Sequence, residues 1–214
     1  MVVNLNIQAE IINIITDTPR QDDIFFVDTN IWFWQTYTNA MSTMSSSQRF
    51  IPNDYIQYIE QALVNGATLT YSGLILAELA HIIEQAEYKI YIQSRGLDKN
   101  SLPLKEYRHN YPNERLNVVA EVQLSWSQVK ALAIPVELTV DDTTTDAALK
   151  RFQNQAVDGY DLLLLESISK AEAGKVKIIT HDMDYAVVPD VQVFTRNNHV
   201  IQAANRQQKL VMNR

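Results

Sequence analysis

Four acids pose the chemical question in this chain: Asp28, Glu78, Asp161 and Asp182. Asp28 closes the apolar run "IFFVD", and Asp182 follows "VKIIT" with one residue between. Both therefore stand where a strand ends, and open parallel α/β sheets bind their ligands at the carboxyl ends of strands. Asp at such a place is equally suited to cap the turn or helix that follows, so for these two a cap and a ligand site are both open readings. Glu78 and Asp161 pose a different problem. Leu74, Ile75 and Ile82 lie three and four residues from Glu78, and Leu164, Leu165 and Ile168 continue the stripe of Asp161. In a helix those neighbours share one face, and here it is the apolar one. A carboxylate on a core-facing stripe costs several kcal/mol unless it is paired, or it takes up a proton. No Lys or Arg lies within a turn of either residue. A distant ion pair could serve each separately, and one cation held by several acids could serve them together.

Oxygen ligands without a single cysteine favour Mg²⁺ or Mn²⁺ over zinc. Mg²⁺ is usually held by few carboxylates and completes its shell with waters and substrate phosphate oxygens. An acid cluster of this kind therefore suggests phosphodiester chemistry, with a metal-activated water and a stabilised leaving oxygen. Asp158, three residues before Asp161, has the spacing of a helix cap, with a supporting place beside the metal as its second reading. Asp184 either supports the site or holds a turn. His181, between Thr180 and Asp182, is expected to point away from the acid.

The elements that must position these residues alternate between strand and helix. Strands are predicted at 24–28, 67–72, 134–140, 176–180 and 191–195. Helices are predicted from Asn53 or Asp54 to Asn65-Gly66, from Ser72 to Arg95-Gly96, over 117–132, over 141–155, and from Asp158 to Gly174. Residues 35–53, rich in Ser, Thr and Asn, read as a long loop. Ile7, Ile11, Ile12 and Ile15 stand at helical spacing and predict an amphipathic helix within an N-terminal extension, 1–23. Short apolar strands alternating with helices make an α/β fold with a parallel sheet.

A chain of 214 residues with 46% hydrophobic content fits one domain, 1–214, with a helical insertion at about 88–125. No basic leader precedes the first strand, and no apolar run approaches the ~20 residues that cross a bilayer. A soluble cytoplasmic protein is expected. The net charge of −7 argues against a general coat of Lys and Arg for nucleic acid. Basic residues do concentrate at 89–115 and 191–214, either as a binding surface or as solvated faces.

"FFVDTNIW", "ATLTYSGLILAELA" and "VDGYDLLLLESISKAEAGKVKIITHDMDY" together resemble the PIN domain nucleases, including the toxin ribonucleases of bacterial toxin–antitoxin pairs. That family has an Asp after its first strand, a Glu within a helix, an Asp in the helix before its fourth strand, and Thr-x-Asp after it. Asp28, Glu78, Asp161 and Thr180-x-Asp182 match in order, and the resemblance covers roughly residues 24–195. It implies a five-stranded parallel sheet flanked by helices, with Asp28, Glu78, Asp161 and Asp182 as catalytic metal ligands for Mg²⁺ or Mn²⁺. It implies RNA as substrate, hydrolysed to a 5′-phosphate and a 3′-hydroxyl. Thr29 and Thr180 would orient the acids or bind water, and Ser72 would do the same or cap a helix. An antitoxin or other protein partner and a homodimer follow from the same resemblance. The chain departs from the compact toxins in its N-terminal extension, the long loop after Asp28, and the Pro-broken basic segment near 88–115.

Two other functions compete. A non-catalytic PIN-like module would bind RNA or protein through the insertion. A di-iron helical bundle would use Glu78-x-x-His81 and Glu106-x-x-His109, but it needs four long helices, which the predicted strands and Pro103 and Pro112 oppose.

Overall fold

The β-branched and aromatic run that ends in Asp28 forms β2 (Ile24–Val27), and its register places every other element around the acids. The computed structural model describes residues 4–44, 46–98, 100–137, 139–171, 175–212 and 214. Along the chain run β1 (Glu10–Asn13), β2, α1 (Thr29–Thr36), α2 (Phe50–Val64), β3 (Thr68–Ser72) and α3 (Leu74–Ser94). Then come α4 (Leu104–Asn110), α5 (Pro112–Leu132), β4 (Ile134–Val136), α6 (Asp142–Asn154) and α7 (Gly159–Ala171). β5 (Val176–Ile179), β6 (Val191–Thr195), α8 (Asn198–Arg206) and β7 (Leu210–Val211) complete the order.

Among the described residues the sheet has seven strands, in the order β4-β3-β2-β5-β6-β1-β7, and every pairing is parallel. From β2 the chain moves outward to β3 and β4; from β5 it moves the other way to β6. The order thus reverses between β2 and β5, where Val27 pairs with Ile179. Such a switch point leaves a crevice at the carboxyl ends of the strands, the usual ligand position of open α/β sheets. Phe25, Phe26, Ile178, Ile179, Val193 and Phe194 are fully buried, as expected of strands covered on both faces.

Several sequence expectations need correction. The sheet has seven strands rather than five. The N-terminal segment forms β1, paired with β6 and β7, instead of an amphipathic helix. Ile11 and Ile12 are adjacent and both buried, which a strand covered on two faces permits; their helical spacing with Ile7 and Ile15 is coincidence. The predicted loop at 35–53 is cut short by the last turn of α1, by two 3₁₀ turns (Ala40–Thr43 and Ser46–Gln48) and by an earlier start of α2. α2 begins at Phe50, not at Asn53 or Asp54, because Pro52 in its first turn lacks only an N–H that would be unbonded there anyway. β4 is confined to Ile134–Val136, shorter than predicted. The predicted stop of α7 at Gly174 lies outside the described residues. The stops at Asn65-Gly66 and Arg95-Gly96 stand: both glycines adopt positive φ just past the cap residue.

The insertion carries a small core of its own, in which Tyr88 and Ile92 of α3 pack with Leu102, Tyr107 and Val118. Glu84 ties this unit together. It is 5% exposed and takes both Arg108 and Arg115, the latter at 2.9 Å. Part of the basic stretch at 89–115 is thus committed to an internal ion pair rather than to a free surface. No helix among the described residues is long and apolar enough to cross a membrane.

Candidate active site

Asp28 ends β2 and caps α1, and both roles are visible in its two oxygens. Oδ1 accepts from the Thr29 backbone N–H at 2.7 Å. Oδ2 accepts from the Thr180 hydroxyl at 2.6 Å and from the Asn30 amide at 2.5 Å. The parallel register makes this local: the Asp28 N–H donates to Ile179 O at 3.1 Å, so Thr180 follows β5 directly beside Asp28. Thr180 in turn accepts from the Asp182 backbone N–H at 2.9 Å, which turns the chain so that Asp182 stands exposed at the rim. Thr29 reaches the other way, and its hydroxyl donates to Glu78 on α3 at 2.5 Å. Thr29 and Thr180 therefore orient Glu78 and Asp28, as expected. Ser72 accepts from Leu74 N at 3.3 Å and serves the start of α3.

Asp161 arrives from α7. Asp158 caps that helix, its Oδ1 accepting from the N–H groups of Tyr160 and Asp161 at 2.9 and 3.1 Å, which decides its role in favour of the cap. Asp161 is 7% exposed and takes a 2.6 Å hydrogen bond from the fully buried Tyr185 hydroxyl. Asp184 begins a 3₁₀ turn, and its N–H donates to Asp182 at 2.9 Å. His181 packs its ring on Trp34 and Tyr55 while staying within reach of the Asp182 charge. Its Nδ1 is 3.1 Å from the Tyr55 hydroxyl.

The electrostatics follow from burial without a cation. Burial pushes Asp28 up to about 7, opposed by the Thr180 hydrogen bond and reinforced by the charges of Glu78 and Asp182. Burial likewise pushes Asp161 up to about 8, with Asp28, Asp158 and Asp182 adding repulsion and Tyr185 opposing it. Glu78 is raised by burial and by Asp158 and Asp182, against the hydroxyl of Thr29. Asp184 is raised by burial, then by Asp182 and Asp158. Burial holds the His181 imidazole below its ordinary value, so it stays neutral. Among the described residues, none of Asp28, Glu78, Asp161 and Asp182 is in an ion pair.

All four predicted acids thus lie at one crevice, where the charge of Asp182 adds to the burial that raises Asp28, Glu78 and Asp161. As they stand, no three His, Asp or Glu side chains among the described residues are grouped tightly enough to enclose a metal. The donor set itself suits a hard divalent cation: it is all oxygen, buried at Asp28 and Asp161, open to solvent at Asp182, and in no ion pair with Lys or Arg among the described residues. The parallel sheet removes the di-iron bundle. Glu78 is held by Thr29, and His81 by Gln85 at 2.8 Å. Sequence reading passed over Asn30, Tyr185 and Trp34. Asn30 could have been found as a polar residue two places after Asp28; the other two had no local signal.

No known protein-family model matches the chain, and no curated protein matches it. Among solved structures it is similar to the crystal structure of VapBC2 from Rickettsia felis bound to a DNA fragment from their promoter. The identity is 15% and the TM-score 0.44, with 80% of this chain and 98% of that chain covered.

Proposed function

We propose that the protein is a divalent-metal-dependent nuclease that hydrolyses phosphodiester bonds in RNA. The observation that carries this reading is the gathering of Asp28, Glu78, Asp161 and Asp182, from four separate segments, at the sheet's switch point with no Lys or Arg paired to them among the described residues. An acid cluster that disfavours its own ionisation is a binding site for positive charge. Bound Mg²⁺ or Mn²⁺ supplies an acidified water and offsets charge developing on phosphate oxygens.

The chain's own residues hold and orient that chemistry. Asp28 and Asp161, once deprotonated, would hold the cation together with Asp182, with Glu78 completing the set. Thr180 and Asn30 fix one oxygen of Asp28, Tyr185 fixes one of Asp161, and Thr29 fixes one of Glu78. Asp161 and Glu78 each keep a second oxygen, Oδ1 of Asp28 keeps a lone pair beyond its bond from the Thr29 N–H, and Asp182 at the rim is the one placed to meet a substrate from solvent. The order of the motifs, which resembles that of PIN ribonucleases, narrows the substrate to RNA. A toxin role with a cognate antitoxin is the narrowest form of the reading.

The test is cleavage of single-stranded RNA with Mg²⁺ or Mn²⁺ by the wild type and by Asp28→Asn, Asp161→Asn and Asp182→Asn. Cleavage that needs the metal and is lost in all three variants is expected; equal activity in the variants refutes the assignment. Expression in a bacterial host separates the narrower form, since growth arrest relieved by Asp28→Asn indicates a toxin.

A further inference from the structure

Beside the acids lies a second feature that hydrolysis alone does not need. An open cavity of about 360 Å³ is lined by Asn30, Trp34, His181, Asp182, Met183 and Asn197. It lies at the small end of the range for small-ligand sites, roughly 300–1,000 Å³. Two of its residues, Asn30 and Asp182, belong to the acid site, so the two spaces are contiguous. A polymer with a phosphate at the acids has its next group at this cavity.

The walls say what kind of group. Trp34 is half-buried on α1, its ring centroid 5.5 Å from that of His181 and 5.5 Å from that of Tyr55. Tyr55 is fully buried behind them and immobilises the set. Its hydroxyl meets Thr180 O at 3.0 Å, His181 Nδ1 at 3.1 Å and the Arg196 N–H at 2.8 Å. Asn197 clamps the His181 carbonyl at 2.9 Å. His181 Nε2 makes no hydrogen bond among the described residues and is one polar atom left for a ligand. No Lys or Arg lines the cavity, and Asp182 gives it negative charge, so a second phosphate does not fit there. A flat, weakly polar group does, because rigid aromatic faces accept any base by stacking.

We infer that Trp34 and His181 form a subsite for the nucleobase adjoining the scissile phosphate, Trp34 supplying the stacking face and His181 an edge contact. The inference rests on the phosphodiester reading of the acids, and it makes Trp34 a binding residue rather than a catalytic one.

The experiment compares a labelled single-stranded oligoribonucleotide with versions in which one base at a time is missing. Fluorescence anisotropy in Ca²⁺, with gels to verify intact RNA, gives Kd for wild type, Trp34→Ala and Trp34→Phe. In the wild type, one abasic position should weaken binding about tenfold, the scale of one stacked base. Trp34→Ala should bind intact RNA about tenfold more weakly and lose its sensitivity to that position, while Trp34→Phe keeps most of both. The inference is overturned if no abasic position weakens wild-type binding, a result that depends on no variant's folding. It is also overturned if Trp34→Ala retains the full abasic penalty. Cleavage in Mg²⁺ is scored separately. RNA that is cut without abasic sensitivity removes the subsite and leaves the nuclease. RNA bound with abasic sensitivity but never cut removes the nuclease and leaves the subsite. RNA that is not bound at all removes both.

Discussion

Asp23 and Asp28 flank the same strand and are both covered from solvent, at 1% and 4% exposure, yet their carboxyls move in opposite directions. At Asp23, burial would raise the pKa, but hydrogen bonds from Arg214, Lys177 and the Arg20 N–H bring it down to about 2. At Asp28 a deeper burial meets only hydroxyl, amide and backbone donors plus two further acids, and the carboxyl rises to about 7. Lys177 lies on β5, so adjacent strands share a neutralised acid at one end and the un-neutralised group at the other. Buried carboxylates are tolerable when paired and costly when they are not. The amino end of the sheet is therefore a structural clasp, closed by Arg214 against Asp17 and Asp23. The carboxyl end carries acids with no such partner among the described residues.

The largest effects should separate these two ends. Asp28→Asn and Asp161→Asn should each cut RNA hydrolysis by about a hundredfold or more, the scale of losing one positioned electrostatic group. Asn keeps the cap on Thr29 and removes repulsion, while its amide nitrogen cannot accept from Asn30, so the folding stability of Asp28→Asn in urea should change by no more than about 1 kcal/mol. Asp23→Ala should leave hydrolysis per folded molecule intact while costing about 3–5 kcal/mol of stability, because Arg214 and Lys177 lose their buried partner. The comparison breaks if Asp28→Asn destabilises the fold as much as Asp23→Ala does.

Stability against pH is the next discriminator, measured by urea unfolding in EDTA. Free carboxyls titrate near pH 4, whereas Asp28 and Asp161 do so at about 7 and 8 in the folded protein. Between those values the folded state keeps protons that the unfolded chain has released, so stability falls as pH rises through that window. The slope is about 1.4 kcal/mol per pH unit for each such proton. Asp23 acts in the opposite sense: its contribution is present above about pH 4 and is lost as pH falls through its folded value of about 2. Asp28→Asn should flatten the loss on the alkaline side only. A profile unchanged by that substitution would mean that the alkaline loss comes from groups other than Asp28.

Much of the carboxyl end was legible in advance, because its signals are local. Apolar runs stop at Asp28 and just before Asp182, and acids interrupt the apolar stripes at Glu78 and Asp161. The clasp was not legible. Arg214 lies 191 residues from Asp23, and nothing in either neighbourhood announces the other. α1 was also missed. Ile31, Trp32 and Phe33 are consecutive and all buried, so the helix has no polar face to create a 3.6-residue rhythm. β1 failed for a related reason, since a short strand covered on both faces has no alternation to distinguish it from a helix.

Divalent cations should act at one end only, and more modestly. At a hundred times its Kd, Mn²⁺ should stabilise the wild type by about 2.7 kcal/mol, or several degrees in Tm. Asp28→Asn and Asp161→Asn should lose most of that gain by differential scanning fluorimetry, and Asp17→Asn should retain it. A gain that survives at Asp161→Asn and vanishes at Asp17→Asn would place the cation at the clasp instead.

The smallest effect tests how the unpaired end is held in the absence of metal. The Tyr185 hydroxyl donates to Asp161 and stabilises its ionised form, opposing the burial that raises it. Tyr185→Phe removes one hydrogen-bond donor and no packing volume beyond an oxygen, so the cost should be about 1 kcal/mol. That cost should not be uniform in pH. Above pH 8 the Asp161 carboxylate loses a donor that favours its charge, whereas at pH 5 the protonated carboxyl loses less. The stability difference between wild type and Tyr185→Phe in EDTA should therefore widen from pH 5 to pH 9, and the alkaline fall should begin lower in stability but higher in midpoint. If the difference is the same at both pH values, Tyr185 serves only packing, and the ionisation of Asp161 is governed by burial and its neighbouring acids alone.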